Sequence, residues 1–439
     1  MSVKSQHFPT TEHRPTRISC LPYGVGHDHE GVCLQVQLGP YRILLDCGLR
    51  DVTPLVSQTQ TPVDVVLCSH AHGDHARGLM ALHEAFPTLP IYGSQVTQQL
   101  LPLNWPEKSA SKTTTFCQGL SWEKPKDLLE NLTVQLFRAG HLPGAASILI
   151  SYYTPQRTYK LLYTGDFSLS NLQLVEGLSI DSLRGLSPDI LIIEGTYGTT
   201  RHPHRRQQEK HLMQRIYESL NHGYSVLLPV PTLGLGQEIL KLLRSHHQFT
   251  GRDLDIWVDG YVANACDRYL DLLSEFPLSV QNFAKHQPLF WDERVCPRLR
   301  RLMPQQRGKI GETPCIVLTD DVITLYDEGY LMSGLWVMLL PDTPNEGQTL
   351  DSPEIIALRE RLRVHIESYL LAEHSDGRNT TQLIHNLRPQ HILFVHGSPL
   401  NLTDLTSLEE LQNRYQLHLP SVGKLVELPI GDQFIQPAA

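Results

Sequence analysis

The hydrophobic residues of the first 165 positions fall in short runs broken by glycine and polar turns, the rhythm of strands. Thr16–Leu21, Gly31–Leu38, Tyr41–Asp46 and Val63–Ser69 predict four of them, with Gly24-Val25-Gly26 and Cys47-Gly48 as turns. Gly78–Phe86 predicts a helix, a short strand follows near Ile91, and Pro102–Glu130 is a polar stretch without a clear period. Strands return at Leu132–Leu136, Ala146–Tyr152 and Tyr159–Tyr163. Runs of strands with a few helices outside them predict a mixed α/β sandwich. From about Thr199 the texture changes to helix Gln207–Asn221, strand Ser225–Val230, helix Gln237–His246, strand Asp255–Asp259 and helix Val262–Leu273. Strands Cys315–Thr319 and Leu335–Leu340 continue it. That alternation predicts a parallel sheet with crossover helices, a second domain of a different kind. Strand and helix segments resume at Val364–Ala372, Leu383–Leu387 and His391–Val395.

The 439 residues suffice for two or three cores. No apolar stretch is long enough to cross a bilayer and no leader pattern opens the chain, so a cytoplasmic protein that avoids membranes is expected. Residues 1–16 are polar and read as a flexible tail. The eight cysteines are scattered without a Cys-x-x-Cys, which favours reduced, buried thiols over a disulfide framework or a thiolate metal site. A net charge of −9 argues against a general nucleic-acid coat protein. Two basic clusters, Arg298/Arg300/Arg301/Arg307/Lys309 and Arg201/His202/His204/Arg205/Arg206, read as solvated surface or as a phosphate-tracking groove.

The candidate chemistry is concentrated in Ser69-His70-Ala71-His72-Gly73-Asp74-His75, where three imidazoles and a carboxylate crowd into six positions. Alternation puts His70 and His72 on one face of an extended strand end, and a turn at Gly73 would let Asp74 and His75 face a second ion. Val65-Val66-Leu67-Cys68 before it reads as a buried strand and Ala76–Leu82 after it as a helix start, so the ligands sit on a strand-to-helix loop. Further ligands close later strands: Ala139-Gly140-His141, Tyr163-Thr164-Gly165-Asp166 and Phe394-Val395-His396-Gly397. Two neighbouring ions need a bridging ligand, for which a carboxylate is suited.

With these motifs the chain resembles the metallo-β-lactamase superfamily, and within it the β-CASP branch that contains ribonuclease J and the endonuclease of pre-mRNA polyadenylation. The resemblance runs from about Arg17 to Ile430. Ile193-Glu194-Gly195-Thr196-Tyr197-Gly198 resembles the branch's acidic motif, and Leu228–Glu238 resembles the start of its inserted cassette. Val258-Asp259-Gly260 fits the next strand, and Ala372-Glu373-His374-Ser375-Asp376 and Val395-His396-Gly397 match the two late histidine motifs.

The resemblance implies an αββα metallo-β-lactamase sandwich over 17–199 and 366–439, interrupted by a parallel α/β β-CASP domain over 200–365. It implies one Zn²⁺ on His70, His72 and His141 and a second on Asp74, His75 and His396, with Asp166 bridging. Mn²⁺ would tolerate the same donors. A water between two such ions loses a proton near neutral pH and attacks phosphorus, with Asp74 counted among the catalytic residues. His374 is the expected general acid for the leaving 3′-oxygen, oriented by Glu194, and Asp46 the residue that holds the metal loop from behind. His27 and His29 read as loop residues, with a substrate-facing role open.

The cassette departs from the branch. Leu235 stands where an arginine is usual. Thr319-Asp320-Asp321-Val322 and Pro341–Asn345 stand where a Ser-Gly-Met loop and a Gly-Tyr-Gln segment are usual, and Ser398 replaces a glutamate. The leading expectation is a ribonuclease acting on single-stranded RNA, alone, as a homo-oligomer or with RNA-processing partners. A DNA or small-phosphodiester hydrolase of the same fold, and a scaffold subunit that binds RNA or protein, stay open beside it.

Overall fold

Alternating burial along the strands sorts into three sheets. A computed structural model describes residues 16–27, 30–107, 116–331, 333–342 and 364–431. Residues 1–15 of the tail expected over 1–16, His29 and Thr343–Asn345 lie outside the described residues.

The first sheet holds β1 (Ile18–Val25), β2 (Val32–Leu38), β3 (Tyr41–Leu45), β4 (Val65–Leu67), β5 (Ile91–Ser94) and β6 (Cys117–Leu120) in that order. The second holds β7 (Lys126–Leu129), β8 (Leu132–Arg138), β9 (Ala146–Tyr153), β10 (Thr158–Tyr163) and β11 (Ile190–Glu194). The chain then builds a third sheet from β12 (Tyr224–Pro229), β13 (Asp255–Val258), β14 (Arg298–Arg301), β15 (Ile316–Thr319), β16 (Leu335–Pro341) and β17 (His365–Tyr369). Afterwards β18 (His391–Val395) and β19 (Gln416–His418) return to the second sheet beside β11, and β20 (Val426–Glu427) pairs with β1.

Period-two alternation explains the layers. Leu34, Val36 and Leu38 of β2 share one core with Leu161 and Tyr163 of β10, Ile190 and Ile192 of β11, and Leu393 and Val395 of β18, so the two sheets pack face to face. The alternate residues Leu162, Leu191, Ile193, Ile392 and Phe394 face the opposite way, into the core beneath the helices. This is the expected αββα sandwich. The third sheet is wholly parallel in the order β14-β13-β15-β12-β16-β17, buried on both faces as βαβ crossovers require.

Several elements differ from the sequence reading. Helix Gln95–Leu100 precedes the polar stretch, and β6 and β7 lie within it. Their burial is partial, so little hydrophobic period marks them. The basic cluster at 298–301, read as solvated surface or a phosphate-tracking groove, forms edge strand β14. Arg298 pairs with Asp253 and Asp255, Arg300 with Asp255, Arg301 with Asp267, and Arg307 with Asp259 and Glu328. Strand β17 pairs in parallel with β16 along Val337–Pro341, so the inserted sheet extends to Tyr369, beyond 365.

The loop after β3 is locked against the loop after β4. Cys47 N–H donates to the His75 carbonyl at 2.8 Å and Gly48 N–H to the Val32 carbonyl at 2.8 Å. A Cβ at Gly48 would lie 1.5 Å from the Asp74 carbonyl oxygen, backbone against backbone. Gly48→Ala is expected to destabilise the fold by about 3 kcal/mol or more, at or above the upper end of overpacking costs. Urea unfolding followed by circular dichroism checks it.

Candidate metal centre

The loops that leave the C-terminal ends of β4, β8, β10, β11 and β18 converge on one point, which is where strand-ended chemistry collects in such sheets. β4 delivers His70 and His72, and the short helix Gly73–Ala76 turns Asp74 and His75 back toward them. β8 ends before His141, β10 before Asp166, β11 on Glu194 and β18 before His396. His374 follows β17 from the inserted sheet. Two residues of the site, the supporting Asp46 (φ 58°) and the donor His396 (φ 48°), hold the left-handed backbone that non-glycine residues seldom adopt.

The donor atoms fall into three overlapping groups, each within 4.8 Å: His70/His72/His141/Asp166, Asp74/His75/His396, and Asp166/Glu194/His374/His396. Asp166 Oδ2 lies 3.2 Å from His75 Nε2, 3.5 Å from His70 Nε2 and 3.8 Å from His141 Nε2. Its Oδ1 lies 3.6 Å from His396 Nδ1. Asp74 Oδ2 lies 3.2 Å from His396 Nε2 and 3.8 Å from His75 Nε2. All seven side chains expected from the sequence to face metal thus meet in one cluster, with Asp166 between the two sets.

The outer nitrogens of the rings explain why the inner ones suit a cation. His75 Nδ1 meets Asp46 Oδ2 at 2.7 Å, and His70 Nδ1 meets Ser69 Oγ at 3.0 Å. His72 Nε2 faces the Leu233 carbonyl at 3.3 Å and His141 Nδ1 the Glu373 carbonyl at 3.1 Å. A ring that donates outward presents a lone pair inward, and His72 Nδ1 and His141 Nε2 accordingly face each other at 3.0 Å. His70 Nε2, His75 Nε2 and both Asp166 carboxylate oxygens are buried with no hydrogen-bond partner among the described residues. Orphaned buried polar atoms are costly, and cations in the two donor sets would satisfy all four. Nitrogen and carboxylate donors without thiolate fit Zn²⁺ or Mn²⁺.

The electrostatics agree. Burial, with the neighbouring His75, holds the His70 imidazole well below its usual value. Burial pushes Asp166 upward, but His396, His75 and His70 override it and keep the carboxyl well below the usual range. His75 is held well above an ordinary imidazole against burial by Asp166, Asp74 and Asp46. Protons on such rings occupy places that a metal would take, so binding would release them.

Asp46 anchors the loop. Its Oδ1 accepts from Ser69 N–H at 2.6 Å, while Oδ2 accepts from Ser69 Oγ at 2.7 Å and Tyr163 OH at 2.6 Å, besides meeting His75. Asp46→Asn is expected to weaken metal affinity by about 10–100-fold, the usual effect of losing such a support, with the fold retained. Competition against a chromogenic chelator measures it.

His374 sits on the other flank. Its Nδ1 lies 2.9 Å from Glu194 Oε1, and its ring centroid lies 4.5 Å from that of His141 and 5.6 Å from that of His396. Glu194 Oε1 also accepts from Phe167 N–H at 2.9 Å. Thr196 Oγ1 donates to Glu194 Oε2 and lies 2.9 Å from His396 Nδ1, tying the His374 pair to the metal cluster. His27 Nδ1 binds the Gly397 carbonyl at 2.8 Å, a loop role.

Comparison with known proteins places the chain in a family. A domain described as "Beta-lactamase superfamily domain" matches residues 41–218, from β3 to the helix that leads into the inserted sheet. The chain is 53% identical over 435 residues to "Uncharacterized protein sll0514" of Synechocystis sp., covering 98% of this chain and 77% of that protein. It is 24% identical over 429 residues to "Probable RNase MJ4" of Methanocaldococcus jannaschii, covering 90% and 96%. The chain belongs to the metallo-β-lactamase superfamily. Its inserted sheet and late histidine motifs put it in the β-CASP branch. A solved "Protein of Unknown Function from Enterococcus faecalis V583" shares the fold, with a TM-score of 0.61 at 13% identity, covering 93% of this chain and 100% of that one.

In this β-CASP protein the sequence reading missed the supporting atoms. Tyr163 and Ser69 stand beside named residues, and Thr196 lies inside the motif that supplied Glu194. The Leu233 and Glu373 carbonyls were beyond reach, because a backbone oxygen carries no side-chain signature.

Proposed function

We propose that the protein is a metal-dependent ribonuclease that hydrolyses phosphodiesters of single-stranded RNA. The observation that carries this reading is the pairing of a complete two-set donor cluster with His374, which a Glu194 carboxylate holds at 2.9 Å beside it. His70, His72 and His141 would hold one cation, and Asp74, His75 and His396 the other, with Asp166 shared. Such ions, Zn²⁺ or Mn²⁺, supply Lewis acidity, lowering the pKa of water and neutralising charge on phosphoryl oxygens. With His374 Nδ1 given to Glu194, its Nε2 delivers the proton to the departing 3′-oxygen as the P–O bond breaks. The products are a 5′-phosphate on the downstream fragment and a 3′-hydroxyl on the upstream one. The name of the Methanocaldococcus relative supports RNA as the substrate.

One observation favours a second reading, a smaller phosphodiester. At the strand ends of the inserted sheet Asp320 accepts from Thr232 Oγ1 at 2.8 Å and Tyr261 N–H at 3.2 Å, placing acid where phosphate contacts are usual in the branch. Turnover of single-stranded RNA, single-stranded DNA and bis(p-nitrophenyl) phosphate by one metal-loaded preparation separates the two. RNA preferred over both supports the ribonuclease; hydrolysis of the small ester alone would sink it. Among the described residues no helix is long and apolar enough to cross a membrane.

A further inference from the structure

The two donor sets differ in what stands behind their imidazoles. In the Asp74/His75/His396 set a buried carboxylate of the sandwich does this work, with Asp46 Oδ2 at 2.7 Å from His75 Nδ1. In the His70/His72/His141 set the atom behind His72 is the Leu233 carbonyl, 3.3 Å from Nε2. That is long beside the usual N–H···O distance of about 2.9 Å, and the acceptor carries no charge. The Leu233 carbonyl alone would hold the His72 ring loosely.

A second buried carboxylate lies beside it. Glu373 is 1% exposed and follows β17, the last strand of the inserted sheet. Its backbone carbonyl already faces His141 Nδ1 at 3.1 Å. Its side chain reaches Gly234, where an added Cβ would lie 3.0 Å from Glu373 Oε1 and 3.5 Å from His72 Nε2. Gly234 has φ 91°, a backbone left to glycine, so the carboxylate oxygen and the ring nitrogen both border the space its missing side chain leaves. Two phenols of the insert feel the same carboxylate. Burial first, then Glu238 and Glu373, push the Tyr269 hydroxyl up, and burial followed by Glu373 does the same to Tyr369. Neither hydroxyl has a hydrogen-bond partner among the described residues, so neither occupies the carboxylate.

We infer that Glu373 is a positioning residue for the first donor set: its carboxylate accepts the His72 Nε2–H and turns Nδ1 toward the ion. The inference rests on the two donor sets of the proposed function, and not on the identity of the substrate. A carboxylate on the outer nitrogen fixes the tautomer and raises the basicity of the inner one. Such a charge-assisted bond is roughly twice as strong as one to a neutral carbonyl. One residue then holds two rings of the set, His72 by its side chain and His141 by its backbone. The sandwich supports one ion through Asp46, and the insert supports the other through Glu373.

The test compares the full wild-type chain with Glu373→Gln, Asp46→Asn and Gly234→Ala, with Zn²⁺ as the probe and a chromogenic chelator resolving the two affinities. Glu373→Gln keeps the volume and removes the charge; it is expected to weaken one ion by about 10–100-fold and the other by less than about twofold. Asp46→Asn is expected to weaken the other ion. Gly234→Ala keeps the carboxylate but sets a methyl against it and the ring, and is expected to weaken the same ion as Glu373→Gln. NMR of zinc-loaded protein carrying isotope-labelled histidine gives a second readout. A downfield imidazole N–H resonance moves upfield in Glu373→Gln and stays in place in Asp46→Asn, a change that looser packing alone would not produce. Equal weakening of both ions, weakening of the ion that Asp46→Asn also weakens, or unchanged affinities with an unmoved resonance would overturn the inference. If the wild type takes up one ion only, the two-set reading fails and the resonance alone decides the role of Glu373. Selective loss in a protein that cleaves no RNA would uphold that role while removing the ribonuclease reading.

Discussion

Asp166→Asn is expected to cut turnover by about 10³-fold or more, the scale of removing a group that stabilises developing charge. It is also expected to release metal. Asp166 reaches both donor sets, its Oδ2 lying 3.5 Å from His70 Nε2 in one and 3.2 Å from His75 Nε2 in the other, with Oδ1 3.6 Å from His396 Nδ1. An amide keeps the volume but removes the charge and replaces one acceptor oxygen by a donor. That NH₂ would then point into ring nitrogens already presented as lone pairs. Metal analysis of the purified variant is expected to show at least one ion fewer per chain than wild type. Full metal content with full activity would mean that Asp166 is structural.

His374→Ala has the second largest expected effect, and its signature is chemical. Losing a general acid costs about 10²–10⁴-fold when the leaving group is a poor one, as a ribose 3′-alkoxide is. p-Nitrophenoxide departs without a proton. The variant should therefore lose RNA cleavage while hydrolysis of bis(p-nitrophenyl) phosphate changes by less than about tenfold, and metal content stays at the wild-type level. Equal losses on both substrates would make His374 a support for His141, whose ring lies 4.5 Å away, and not a proton donor.

Much of this architecture could be read before the structure, for identifiable physical reasons. A buried parallel strand such as Leu228 or Leu318 sits in a near-continuous apolar run, and a strand with one solvated face alternates; both patterns survive in sequence. Ligand-rich strand ends survive as well, since imidazole and carboxylate next to apolar runs have few structural uses. The edges did not. β6 and β7 are half-exposed, and β14 is four residues of Arg-Leu-Arg-Arg whose charge is answered by Asp253, Asp255 and Asp267 from other segments. Read along the chain, that cluster was either solvated surface or a phosphate-tracking groove; folded, it is an ion-paired edge. The cluster at Arg201 divides the other way, with Arg205 spent inside and Arg201 left outside. Charge partners distant in sequence decide which arginines stay available.

The support of the site shows the same divide. Asp46, 23 residues from Ser69 and 117 from Tyr163, was visible as a strand-end aspartate, but three of its contacts depend on β3 pairing with β4 and the fourth, to Tyr163, on the second sheet closing over the first. The inserted sheet reaches the metal centre through the Leu233 carbonyl on His72 and the Glu373 carbonyl on His141. Insert and sandwich therefore share the orientation of these two candidate ligands, and Glu238 reinforces the joint by accepting Gln173 N–H at 2.5 Å and Leu174 N–H at 2.8 Å.

The most direct test of the central claim is cleavage of a 5′-labelled single-stranded RNA by protein whose metal content has been counted. The account predicts cleavage by protein carrying two divalent ions per chain, loss of cleavage on chelation, and upstream products ending in a 3′-hydroxyl. Two bound ions per chain with no cleavage of RNA would contradict it.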